Sequence, residues 1–308
     1  MTNDKKLSEL VQMDSPDAVL DEVIYILQLI SPEFNIDLVK AAFTTIVSLY
    51  NGKYPGYQAC NTEYHNILHI TDTFLAMARM IHGAINRGQT FSERNVDVAL
   101  VAVLFHDTGY IQEEYDIEGT GAKHTIRHVQ RSMDFLERHG FDHGLSEEEI
   151  IAGRALILCT DLYRDLSKIE FPSSSVEILG KMLGAADLLA QMADRTYLEK
   201  LMFLYQEFRE GEVQGFENEE DLLRKTVSFY DFINQRLETQ LGAADRFMKS
   251  HFVSRWNIDA DLYHVAIGKQ KKYLEKILQI PGSNPMDHLR RCGIVDSVRA
   301  RAKKARTA

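Results

Sequence analysis

Cysteine and proline are both scarce in this chain: its 308 residues include three of the first and six of the second. Cys60, Cys159 and Cys292 are odd in number, lie far apart and form no CxxC pair. That argues against a disulfide framework or a zinc ribbon and fits a reducing, cytoplasmic location. No window approaches the ~18 uninterrupted apolar residues of a membrane span, so no membrane partner is expected. The opening MTNDKKLSELVQMDSPD has lysines but no apolar stretch behind them and no small-residue cleavage site, so it does not read as a secretory signal. A formal net charge of −10 speaks against a surface adapted to nucleic acid or anionic lipid. The one local exception, Arg290, Arg291, Arg299, Arg301, Lys303, Lys304 and Arg306, reads as a solvated terminal helix.

Signals of β-structure are missing too, since no series of short β-branched segments is joined by Asn-Gly turns. The punctuation is that of helices. Ser15-Pro16-Asp17 and Ser31-Pro32-Glu33 have the form of helix starts, with serine as N-cap and proline in the first turn. Ser92-Glu93 and Ser146-Glu147-Glu148-Glu149 add two more, with acids at the positive helix end. Between such starts the apolar residues recur at helical spacing, as in Val19, Val23, Ile26, Leu27 and Ile30. Val96 to Phe105 (VDVALVAVLF) has a strand-like composition, but Ser92 ahead of it and the lack of any partner strand predict a buried helix. The 45% hydrophobic and 26% charged residues are those of an ordinary globular protein. We expect an all-α, compact multi-helix bundle forming one domain over residues 1–308, with a C-terminal helical extension over about 240–308. A homo-oligomer is compatible with the sequence.

Four short segments interrupt apolar helices with polar residues. In Tyr64-His65-Asn66-Ile67-Leu68-His69, His65 and His69 are spaced as neighbours on one helix face. A His106-Asp107 pair ends the apolar run, and His124 and His128 repeat the four-residue spacing in Lys123-His124-Thr125-Ile126-Arg127-His128. Asp187 stands inside the apolar Gly184-Ala185-Ala186-Asp187-Leu188-Leu189. An ionised carboxylate there needs a cation or dense hydrogen bonding. A divalent metal would resolve these costs together, since imidazole and carboxylate are suitable ligands. Lys123, Arg127 and Arg131 are candidate cations on what reads as one helix with His124 and His128; for Arg131 a solvated basic face serves at least as well. His139 and His143, beside glycines in a polar turn, read as surface residues.

The order HNxxHxxD, HD at an apolar helix end and Asp within AADL resembles the HD-domain metal-dependent phosphohydrolases. Within that superfamily the pattern leans towards the class I cyclic-nucleotide phosphodiesterases, which the segments Tyr64–His69, Leu158-Cys159-Thr160-Asp161-Leu162 and Ala185–Leu188 also resemble. The resemblance covers roughly residues 57–200, the expected catalytic core. It implies that His69, His106, Asp107 and Asp187 ligate a divalent metal and that Asp107 bridges to a second. It implies as well that His65 is the general acid, with Asn66 and Asp161 in support. His124 and His128 would be second-metal ligands of the kind found in other HD branches, and Lys123 and Arg127 would help bind the substrate.

The implied function is hydrolysis of a phosphodiester or nucleotide-type phosphate, with a 3′,5′-cyclic nucleotide as the first candidate. One or two ions of manganese, magnesium, iron, zinc or nickel would serve on ligand type. Tyr110 stands where the phosphodiesterases carry a further histidine, and their late glutamine and aromatic clamp have no clear counterpart here. Two alternatives therefore stay open. The same scaffold could carry a nucleotide phosphomonoesterase or a di-iron oxygenase, or the chain could be a non-catalytic metal- or ligand-binding signalling module.

Overall fold

Capping side chains set most of the helix starts. The computed structural model describes residues 5–307, and the side chains of Lys303 and Arg306 in the basic tail lie outside what it describes. Helix α1 (Pro16–Ile30) begins where Ser15 Oγ accepts the Ala18 amide at 3.3 Å. The expected start at Ser31-Pro32-Glu33 is not one. The Ser31 amide still donates to Leu27 O at 2.9 Å and closes α1, and the chain then turns as Phe34 N–H reaches Ser31 O. Asn35 Oδ1 accepts the Asp37 amide instead, at the head of α2 (Asp37–Tyr50).

Helix α3 (Ile67–Ile85) starts at Asn66, whose Oδ1 accepts the amides of Leu68 and His69 at 3.0 and 3.3 Å. Helix α4 (Glu93–Phe105) starts at Ser92, as expected, and every residue from Val96 to Phe105 is buried. A helix buried on all sides belongs at the centre of a domain. Helices α5 (His128–His139) and α6 (Glu147–Leu158) follow, the latter opened by a reciprocal capping box between Ser146 and Glu149. The remaining helices are α7 (Ser174–Ala193), α8 (Tyr197–Glu210), α9 (Glu219–Thr239), α10 (Phe247–Trp256), α11 (Leu262–Leu278) and α12 (Ile294–Thr307). Among the described residues there is no strand, and no helix is long and apolar enough to cross a membrane.

Helix α3 is the hub, packed against α1, α7 and α10, while α4 lies among α2, α3 and α6. Helix α7 also meets α6 and α11. The C-terminal helices are thus part of the bundle rather than the appendage the sequence suggested, because α10 and α11 cover faces of α3 and α7 that would otherwise be bare. Three further readings are corrected. His65 precedes α3, since Asn66 caps the helix after it. Lys123, His124 and Arg127 lie in a 3-10 segment, Gly121–Arg127, and not on the helix that His128 begins. His139 and His143 are half-buried: His139 lies between the hydroxyls of Tyr54 and Tyr57, each 3.1 Å from a ring nitrogen, and His143 packs edge-on against Phe105.

Candidate metal centre

Three helices bring four side chains to one point. His69 sits in the first turn of α3, His106 and Asp107 follow the last turn of α4, and Asp187 lies in the second half of α7. His69 Nε2 is 3.2 Å from Asp107 Oδ2, 3.1 Å from Asp187 Oδ1 and 3.4 Å from His106 Nε2. His106 Nε2 is in turn 3.4 Å from Asp107 Oδ2 and 3.7 Å from Asp187 Oδ1. Ligand atoms of His69, His106 and Asp107 all lie within 4.8 Å of one another.

Local bonds fix which atoms face inwards. His106 Nδ1 is 2.7 Å from Val103 O, and a carbonyl only accepts, so Nδ1 carries a proton and Nε2 is the nitrogen turned towards the carboxylates. Gln191, one turn past Asp187, donates to Asp187 Oδ1 at 3.3 Å and accepts from the Tyr64 hydroxyl at 2.9 Å. The turn after Asp107 is clamped from α5: Gly109 N–H donates to Ser132 Oγ at 2.9 Å, and Arg131 Nε donates to Gly109 O at 2.7 Å. A Cβ on Gly109 would stand 2.0 Å from His128 O, so only glycine lets this turn lie against the start of α5. Arg131 Nη2 donates to Ile111 O and Glu113, which makes the residue a strut of the turn.

The charges of the cluster compensate one another. Burial alone would lower the His69 pKa, but the carboxylates of Asp107 and Asp187 beside its ring outweigh it and push it up to about 10. Burial likewise opposes ionisation of both acids. The imidazoles beside them, His106 foremost, nevertheless hold Asp107 and Asp187 below the usual carboxylate range. Asp107 Oδ2 is still buried without a hydrogen-bond partner among the described residues. Two imidazoles and two carboxylates, one of them with an orphaned buried oxygen, are a donor set that suits a divalent transition metal.

The other expected residues divide. His128 Nδ1 is held by Thr125 O at 2.6 Å, which turns Nε2 towards Asp107 Oδ1, 3.7 Å away. His124 faces elsewhere: its Nε2 is 3.2 Å from Asp116 Oδ2, and Lys123 is bound to the same carboxylate. Arg127 is exposed and has no ion pair among the described residues. Asp161 organises its own loop, accepting the Tyr163 amide and facing Arg164, while its backbone oxygen accepts from Arg236. Asn66 caps α3 between His65 and His69, a supporting part.

His65 lies beside the cluster with its ring perpendicular to that of His69, centroids 5.8 Å apart. The Tyr110 ring stacks on it at 4.2 Å and on His128 at 4.7 Å. The solvent opening is on this side, since the side chains of His65, Asp187 and His128 are 14%, 13% and 23% exposed, against 1% for His106. Sequence reasoning missed Glu207 on α8, buried, whose Oε2 is 2.6 Å from His65 Nδ1 and whose Oε1 accepts the Tyr64 amide at 2.7 Å. The signal that singled out Asp187, an acid on an apolar helix face, was present here too. Glu199 on the same helix is equally buried and, among the described residues, its side chain accepts from the Arg291 amide alone, so the signal does not separate the two.

Comparison with the curated proteins found no match. Comparison with solved structures found none either. A family model matches residues 39–245, a span that takes in His65, His69, His106, Asp107, His128, Asp187 and Glu207 alike; the chain belongs to the Npun_R2479-like family.

Proposed function

We propose that this chain is a metal-dependent phosphohydrolase of the HD type, cleaving a phosphodiester or a nucleotide-type phosphate. The observation that carries the reading is the meeting of His69, His106, Asp107 and Asp187 around an unpartnered carboxylate oxygen, with a separately held histidine at its open side. Those four residues would hold the ion. Bound there, a divalent metal supplies a Lewis acid for the phosphoryl oxygens and a water acidic enough to act as nucleophile.

The chain's own residues do the rest. Glu207 takes up the Nδ1 side of His65, which leaves Nε2 as the edge that can give a proton to the departing alkoxide. Tyr110 fixes the plane of that ring by stacking. Gln191 holds one oxygen of Asp187 in place, and the buried walls around His106 keep bulk water from one side of the site. A binding site already supplied with four ligands needs no further histidine at its open side, whereas hydrolysis needs a proton donor for the leaving group, and this favours an enzyme over a pure binding module.

His128 beside Asp107 Oδ1 favours room for a second cation, the feature a di-iron oxygenase would share. The wide separation of the three cysteines supports a cytoplasmic location. The test is to strip the purified chain of metal, restore manganese, magnesium, iron, nickel or zinc singly, and assay bis-p-nitrophenyl phosphate, p-nitrophenyl phosphate, cyclic AMP, cyclic GMP and nucleotides. Metal-restored cleavage that disappears in Asp107→Ala supports the reading. Firm metal binding with no ester cleaved sinks it, and iron-dependent oxygen uptake would then identify the oxygenase.

A further inference from the structure

Two histidines flank the open side of the metal cluster, and each is held at its Nδ1 edge. Glu207 on α8 takes His65, and Thr125 O accepts from His128 at 2.6 Å. Thr125 lies in the 3-10 segment Gly121–Arg127, which ends where α5 begins. That is a long run for a 3-10 helix, whose hydrogen bonds are poorer than those of an α-helix, so contacts from outside must hold it in place.

The end of α8 provides such contacts. Glu210 accepts the Thr120 amide and, at 2.8 Å, the Thr120 hydroxyl. Thr120 in turn caps the segment by accepting the Ala122 amide at 3.2 Å. Gly211, buried just past the last turn of α8, lies against the segment itself: a Cβ there would stand 2.7 Å from Ala122 O and 2.9 Å from Thr125 Oγ1. Its φ of −78° is open to any residue, so the close approach and not the backbone conformation calls for glycine. Thr125 Oγ1 donates to Ala122 O at 2.6 Å and so joins the two residues that Gly211 faces. Elsewhere in the segment Asn61 Oδ1 accepts the Gly121 amide at 2.8 Å, and Lys123 and His124 bind Asp116.

A shift of this segment carries Thr125 O with it, and with that oxygen the ring of His128. Tyr110 stacks on the same ring, which sets its plane; the bond to Thr125 O sets its rotation within that plane. The geometry points to Glu210 and Gly211 as positioning residues for His128, so that one stretch of α8, Glu207–Gly211, aims both histidines, His65 directly and His128 through the 3-10 segment. The open side is then assembled by the seating of a single helix end. Its consequence for turnover rests on the phosphohydrolase reading; the hold on His128 does not.

The test follows the Nδ1 protons of His128 and His106 by NMR in the full, metal-stripped chain with isotope-labelled histidine, the His128 signal being assigned by its loss in His128→Gln. Gly211→Ala and Glu210→Ala should each speed solvent exchange of the His128 proton by about tenfold, the worth of one hydrogen bond. The His106 proton, held by Val103 O, should be unchanged. Glu210 is exposed, so Glu210→Ala should fold even where the added methyl of Gly211→Ala is not tolerated. With metal restored, both variants should keep the ion of the four-residue cluster and lose about 10–100-fold in kcat on bis-p-nitrophenyl phosphate, as loss of an orienting partner does. A parent that cleaves no ester sinks the phosphohydrolase reading, while the His128 proton still decides this inference. It is overturned if that proton exchanges at the parent's rate in each variant that folds, or if the His106 proton speeds up equally, which would mean a general loosening.

Discussion

Glu207 grips His65 and its neighbour at once: one carboxylate oxygen is 2.6 Å from His65 Nδ1, the other accepts the Tyr64 amide at 2.7 Å. The two residues are 142 positions apart in the chain. The bidentate hold fixes both the backbone before α3 and the ring that leaves it, so His65 is aimed independently of the helix that carries His69. With Tyr110 stacked on the ring face, the imidazole has little freedom left.

His65→Ala should leave bound metal unchanged and lower turnover by about 10²–10⁴-fold, the usual worth of a general acid. Glu207→Gln should keep the metal and cost about 10–100-fold, as loss of an orienting partner does. Metal content measured beside the rate decides the matter. If His65→Ala strips the ion, His65 is a ligand and the division of roles proposed above is wrong.

Metal and proton should compete at His69. Its pKa, raised to about 10 by Asp107 and Asp187, lies above the unfolded value, so this proton stabilises the metal-free fold fully below about pH 6.5. The contribution is lost as pH rises through about 10. Metal-stripped protein should therefore lose thermal stability between pH 7 and pH 10 more steeply than metal-loaded protein, in which the cation replaces the proton. Parallel melting curves for the two forms would show that no ion sits among these carboxylates.

Much of this site could be read before folding, and the reasons are physical. Asp187 and His106-Asp107 interrupt apolar helices, and the burial cost of charge makes such interruptions conspicuous. The VDVALVAVLF run with Ser92 ahead of it is a helix as expected. What stayed hidden depends on tertiary packing. His124 and His128 have equivalent spacing to His65 and His69, yet a bond to Asp116 turns His124 away while Thr125 O turns His128 inwards. Ser31-Pro32-Glu33 has the form of a helix start, but its serine amide is already engaged by α1. Neither outcome is local to the motif.

Gly109→Ala tests whether the turn after Asp107 depends on its close approach to α5. The added Cβ would meet His128 O at 2.0 Å, and backbone on both sides must move. Overpacking of this kind costs about 1–3 kcal/mol, and the shift should also loosen the metal site. Gly268→Ala on α11 is the counterpart, because nothing lies within 4 Å of its Cβ position. That change should stabilise the fold by up to about 1 kcal/mol through helix propensity. Chemical denaturation of the two variants, with metal titration of the first, checks both signs.

Asp97 on α4 should set a pH dependence that has nothing to do with the metal. It is 7% exposed, and its Oδ1 is buried with no partner among the described residues. Burial pushes its pKa up to about 6, against the pull of Arg94 and with help from Glu93 and Glu149. An acid whose folded pKa is raised stabilises the fold below its unfolded value, about 3.9, and that contribution is lost as pH climbs through about 6. Above that the fold carries a buried carboxylate at a cost of at most about 3 kcal/mol. Asp97→Asn has the same shape and no charge to bury. Its melting temperature should exceed that of the parent by a few degrees at pH 8, and the gap should close near pH 4. A gap of equal size at both pH values would mean that Asp97 does not titrate in the fold, and the burial argument would fail.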